Sequence, residues 1–214
     1  MLRAAHSAPS TFVAELKRSA KIMNSRIYVL IILLAFPVIA EAHQVGTSGS
    51  FLSGLSHPVL GLDHLLAMIS VGILSAQLGG RAIWTIPSEF VGVMLIGALI
   101  GMKGIPFFPV ELGIALSVLV LGVAIAAGNK ISEKLSMLAV GFFALFHGNA
   151  HGTEMPELVT PFIYATGFLV GTALIHILGV IIGLGFKGSS YGSQLLRYAG
   201  AGIAGIGFHI IIVL

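Results

Sequence analysis

Cysteine is missing from all 214 residues. That excludes a disulfide framework, a thiolate metal site and a cysteine nucleophile. Charge is scarce as well: Asp, Glu, Lys and Arg make up 9% of the chain, against about 25% in an ordinary soluble domain. Eleven basic and eight acidic side chains cannot cover a 22.3 kDa globule in water, so a soluble enzyme, a disordered chain and a coiled coil are excluded. The sequence pI of about 9.4 misleads. Residues 1–42 hold five basic and two acidic residues, which is the whole net charge of +3, and from residue 43 onward six basic and six acidic residues cancel. A nucleic-acid partner needs a basic patch on the folded part, and none is left. The phosphate-cradling G-x-x-x-x-G-K-[ST] loop and the H-E-x-x-H zinc helix are also absent, which points away from ATP-driven transport and from zinc proteases. The chain reads as no enzyme and as carrying no prosthetic group.

What is present is apolar. Hydrophobic residues make up 57% of the chain and mean hydropathy is +1.04. A spanning helix takes about 20 apolar residues, so the expected fold is all-α, a polytopic membrane protein of about six transmembrane helices with the lipid bilayer as a partner. The stretch from Met23 to Ala42 has the parts of a secretory signal: basic Arg26, an apolar run from Ile27 to Phe36, and Ala40-Glu41-Ala42 as an A-x-A cleavage site. The expected organisation is an N-terminal extension at 1–22, with Met23 as the natural start, a cleaved signal at 23–42 and a six-helix transmembrane domain at 43–214. The rival reading is a retained seventh helix. Cleavage would leave His43 first.

Helices are expected near 57–78, 83–102, 109–128, 132–150, 160–184 and 193–214. Cytoplasmic loops carry the Lys/Arg excess. With residue 43 outside, alternation puts Arg81, Lys130, Lys134, Lys187 and Arg197 inside and only Lys103 outside, while Glu154 and Glu157 fall outside. The resulting topology puts the mature N-terminus and the C-terminus both outside. Glycines at four-residue spacing, Gly97/Gly101, Gly148/Gly152, Gly167/Gly171 and Gly179/Gly183, are expected to let helix backbones approach closely where no hydrophobic effect drives packing.

Chemistry concentrates in two places. In His57-Pro-Val-Leu-Gly-Leu-Asp63-His64, Pro58 suits a first helical position and His64 lies two turns below His57. The rise is about 10.5 Å on a continuous helix, so that helix alone does not let one ion meet both rings. Asp63, the only aspartate, can ligate an ion or orient a ring. In Phe146-His147-Gly-Asn-Ala-His151-Gly-Thr-Glu154, the spacings put His147, His151 and Glu154 on one helical stripe. The two clusters fall at the same depth on the same side. Imidazoles and carboxylates without thiols suit a borderline divalent ion, with Ni, Zn, Cu or Fe open, whereas Cu(I) would prefer sulfur. The bland reading is histidines that hydrogen-bond between helices. His176, mid-helix, Glu111, at the outer end of the third helix, and a freed His43 are further candidate ligands. Glu89 is an exit ligand or a solvated edge residue, and His209 an interfacial ring.

These residues resemble the HupE/UreJ family, the hydrogenase and urease accessory membrane proteins regarded as nickel permeases. The matching text is His57-Pro58, Gly61-Leu-Asp63-His64-Leu-Leu-Ala-Met68, Glu111-Leu-Gly-Ile-Ala-Leu-Ser-Val-Leu-Val-Leu-Gly122, Phe146 to Pro156, and Tyr164-Ala-Thr-Gly-Phe168 with Thr172 to His176. The resemblance runs from about His43 to the C-terminus. It implies a signal-bearing inner-membrane protein that handles Ni²⁺ or Co²⁺, with His57, Asp63, His64, His147, His151 and Glu154, and less directly Glu111 and His176, as its metal positions. Homo-oligomers and nickel-enzyme maturation proteins are the further partners it suggests. Three rivals stay open: an intramembrane metal-dependent hydrolase, a haem protein with two axial histidines, and an accessory protein that delivers nickel without forming a pore.

Overall fold

The long apolar runs wind into helices, as a chain in lipid must satisfy its backbone groups internally. The computed structural model describes residues 50–105, 107, 109–128, 131–155 and 160–214. The extension, the signal, its cleavage site and His43 lie outside the described residues, as do Lys130 and Glu157. Seven helices are described: α1 (Ser50–Leu60), α2 (Leu62–Leu78), α3 (Ala82–Met102), α4 (Val110–Ala127), α5 (Glu133–Thr153), α6 (Pro161–Lys187) and α7 (Ser190–Val213). Among the described residues there is no strand. Helices α3 to α7 match the expected spans to within a few residues.

The first expected helix is corrected. The stretch 57–78 is not continuous: α1 and α2 meet at Gly61 and are bent by 87°. Gly61 is extended there, with φ −89° and ψ 117°. Pro58 does not start a helix but sits in the last turn of α1, where its missing N–H removes a hydrogen bond. A proline followed three residues later by glycine, the weakest non-proline helix former, is where the helix gives way. Elsewhere the ends are conventional. Gly79 and Gly128, with φ of 78° and 69°, stop α2 and α4, and the hydroxyls of Ser132 and Ser189 accept from Leu135 and Gly192 N–H to start α5 and α7.

Helices α3, α4, α6 and α7 are each long and apolar enough to cross a membrane, and the bent pair α1–α2 qualifies as a fifth, broken span. Helix α5 is as long as α3 at 21 residues, but His147, Asn149 and His151 lower its hydropathy. The outer surface is apolar: Phe162, Leu138 and Trp84 are exposed, as suits a surface in contact with lipid. Helix α2 is buried along most of its length, from His64 to Gln77, and is the centre of the assembly. Helix α3 buries one stripe, Ala82, Ile86, Phe90, Met94 and Ala98, at four-residue spacing.

Four glycine seams hold the helices together, three of them on the pairs that the four-residue spacing singles out. In α3·α5, Gly97 and Gly101 lie on the backbone of Leu145 to Thr153, and Gly148 and Gly152 lie on that of Met94 to Ala98. In α2·α6, Gly72 meets Gly179, and Gly183 meets Ile73 and Ala76. In α4·α7, Gly122 meets Gly200 and Ala204. Gly167 and Gly171 seat α1 on α6. At one end of the bundle, Lys187 Nζ donates to the Ala76 carbonyl at 3.0 Å and Arg197 Nε to the Ala126 carbonyl at 2.8 Å. These basic groups satisfy carbonyls that the ends of α2 and α4 leave open.

Candidate metal centre

The bend at Gly61 decides the geometry of the other end. Because α1 turns away from α2, His57 and His64 both reach His151 of α5, with ring centroids 4.9 Å and 4.6 Å apart. The rise of about 10.5 Å expected between the two rings on a straight helix therefore does not apply, and both rings lie against the same histidine. His64 also meets His147 at 4.9 Å. The rings form a line. Glu154 Oε2 accepts from His57 Nε2 at 3.2 Å, then come His151, His64 and His147, and Phe90 touches both His147 (5.5 Å) and His176 (4.9 Å). The outer end of this line is open and the rest is closed: the side chains of Glu154 and His57 are 47% and 23% exposed, while His151, His64, His147 and His176 are all buried.

Two features make this more than packed imidazoles. His57, His151 and Glu154 offer one ligand atom each, and these atoms lie within 4.8 Å of one another. Inside the bundle, His64 Nε2, His147 Nδ1 and both ring nitrogens of His151 and of His176 are buried without a hydrogen-bond partner. A buried polar group left unpaired costs about 1–3 kcal/mol. Histidines serving only to tie helices together would have partners.

Asp63 accepts the backbone N–H of His64 at 2.8 Å and its Nδ1–H at 3.0 Å. It therefore orients the His64 ring and leaves Nε2 as the free lone pair, the usual carboxylate–histidine arrangement around a metal. Glu154 lies just past the end of α5, and its hydrogen bond with His57 holds its carboxyl below the ordinary glutamate value. The group thus stays charged through mild acidification.

Gly61 is needed here for space. A Cβ on it would stand 2.9 Å from Asp63 Oδ1 and 3.0 Å from His64 Nδ1. Its extended backbone suits any residue, and Pro58 remains to break the helix, so Gly61→Ala should leave the fold intact. It should displace the Asp63–His64 pair and weaken divalent-metal binding about 10–100-fold, the range for disturbed orienting groups. Calorimetric titration of the purified protein measures this, and unchanged affinity would refute the steric role.

The remaining candidates fall elsewhere. Glu111 is exposed in the first turn of α4, with no contact to the imidazoles described. His176 stands beyond Phe90 and borders a cavity of about 400 Å³ lined also by Trp84, Pro87 and Ser88. Glu89 lies against Gly141. His209 is exposed near the end of α7. Sequence reasoning missed Ser117 and Phe90, which touch His147 from α4 and α3; nothing in their residue types signals a role. The run Gly188-Ser-Ser190-Tyr-Gly192 has the G-x-S-x-G spacing, but it joins two helices, whereas a nucleophile elbow needs a strand before the serine.

Residues 31–210 match the family model described as "HupE / UreJ protein". The chain is 42% identical over 181 residues to "Protein HupE" of Rhizobium leguminosarum bv. viciae, which covers 84% of this chain and 94% of that one. No solved structure matches at a significant level.

Proposed function

The chain belongs to the HupE/UreJ family, and on that premise we propose that it is a membrane permease for a divalent transition metal, Ni²⁺ before Co²⁺ or Zn²⁺. The observation that carries this reading is the graded line of donors, from the half-exposed carboxylate of Glu154 to the buried, unpartnered nitrogens of His151, His64 and His147. An ion entering at Glu154 and His57 exchanges hydration water for imidazole one ligand at a time. Asp63 keeps His64 in the ligating tautomer, and Phe90 stands between His147 and His176. The membrane potential supplies about 2.3 kcal/mol per charge per 100 mV, or about 4.6 kcal/mol for a divalent ion. Capture is weak enough to release when sites are several and each incomplete, as a line of imidazoles is.

The test is uptake of radiolabelled Ni²⁺ into proteoliposomes, with Co²⁺ and Zn²⁺ as competitors. Saturable uptake above empty vesicles supports the permease. Tight binding without uptake would favour an accessory that hands nickel on.

The same reading fixes a topology of six crossings, in which α1–α2 count as one and α5 crosses with its histidines facing inward. It puts Lys134 in the cytoplasm and Lys103 in the periplasm, with the cleaved signal and the positive-inside rule as its support. The chain has no cysteine, so single Cys substitutions label cleanly. An impermeant maleimide on intact cells should modify Lys103→Cys and spare Lys134→Cys; the opposite pattern would invert the model and put the imidazole end in the cytoplasm.

A further inference from the structure

Ser117, buried on α4, bonds to His147 Nε2 at 2.9 Å and to the Ile114 carbonyl at 2.6 Å. A hydroxyl has one proton to donate and two lone pairs to accept with. The Ile114 carbonyl can only accept, so the Ser117 proton goes there. The hydroxyl oxygen then accepts from His147, and Nε2 must carry the ring proton. A neutral imidazole has only one N–H, so Nδ1 is left as a bare lone pair. Nδ1 is the buried atom with no partner, and its ring meets His64 at 4.9 Å. Asp63 does the same for His64 through the opposite nitrogen, taking the Nδ1 proton and leaving Nε2 bare and unpartnered.

We propose that Ser117 is a positioning residue that locks His147 in the Nε2–H tautomer, so that His147 Nδ1 and His64 Nε2 form an inner metal subsite distinct from the outer trio of His57, His151 and Glu154. The two rings are set by groups from different helices, α4 for His147 and α2 itself for His64. His151 has both nitrogens free and touches rings of both subsites, which suits it to pass an ion from the outer one to the inner. The proposal rests on the metal-permease reading for what the subsite binds, but the tautomer is testable without metal.

The experiment uses the full chain in detergent with ¹⁵N-labelled histidine. In metal-free wild type, the His147 resonances, identified by their loss in His147→Asn, should report a protonated Nε2 and a bare Nδ1. Ser117→Ala should mix the tautomers and lower Ni²⁺ affinity about 10–100-fold, the effect expected when a ligand's orienting partner is lost. Ser117→Thr keeps the hydroxyl and should restore both. A serine that only back-bonds to its own helix would leave tautomer and affinity untouched in the alanine variant, and that result overturns the proposal. Protonated Nδ1 in the wild type overturns it too, even if the alanine variant does not fold. A wild type with the expected tautomer but no Ni²⁺ binding would instead refute the metal reading, and with it the subsite.

Discussion

Alanine in place of His151 should abolish Ni²⁺ uptake while the protein still reaches the membrane. The ring is the hub of the donor line: it touches His57, His64 and Phe168, and it belongs to the outer trio whose ligand atoms converge. Both its nitrogens are buried and unpartnered, so the fold gains no hydrogen bond from the ring, and its removal leaves no widowed partner. Losing a group that merely orients a metal ligand costs about 10–100-fold, so losing the shared ligand should exceed 100-fold. His64→Ala should do the same from the other side of the bend. His209→Ala, on the exposed end of α7, should retain uptake. If His151→Ala transported at the wild-type rate in proteoliposomes, the imidazole line would not be the route.

Much of this arrangement could be read from residue order. The four-residue glycine pairs are where α3·α5 and α2·α6 come together, and that expectation needs only helical periodicity, which a membrane imposes strongly. The equal depth expected of the two histidine clusters is counted on a straight helix from His57 to His64, which the bend removes. The break at Gly61 was not legible, because the flanking Pro58 fits both the start of one helix and the last turn of another. Helix α1 was missed for a related reason: Ser50, Ser53, Gly54 and Ser56 look like a linker, yet Gly54 lets the helix lie on the backbone of Tyr164 and Phe168. The consequence reached the site. A straight helix separates His57 from His64, whereas the bend brings both to His151. Ser117 and Phe90 stayed invisible because their roles come from helices that meet only in three dimensions.

Gly148 lies between His147 and His151 of α5, and a side chain there should cost both stability and the proposed site. A Cβ at Gly148 would fall on the Met94 carbonyl and stand 2.8 Å from Ala98 N. These are backbone atoms inside α3, so no rotamer change relieves the clash and the two helices must separate. Overpacking typically costs about 1–3 kcal/mol; a rigid backbone neighbour puts Gly148→Ala at the upper end and Gly148→Val beyond it. Separation of α3 from α5 also draws Phe90 away from His147, so surviving protein should bind Ni²⁺ poorly. Gly202 supplies the contrast: it is exposed on α7 and nothing lies within 4 Å of where its Cβ would be. Gly202→Ala should be neutral or slightly stabilising, since alanine is the better helix former by about 1 kcal/mol. Thermal unfolding in detergent, followed by size-exclusion fluorescence, separates the two cases. Equal midpoints for Gly148→Ala and Gly202→Ala would mean that the α3·α5 seam is not the close contact that holds the imidazoles in place.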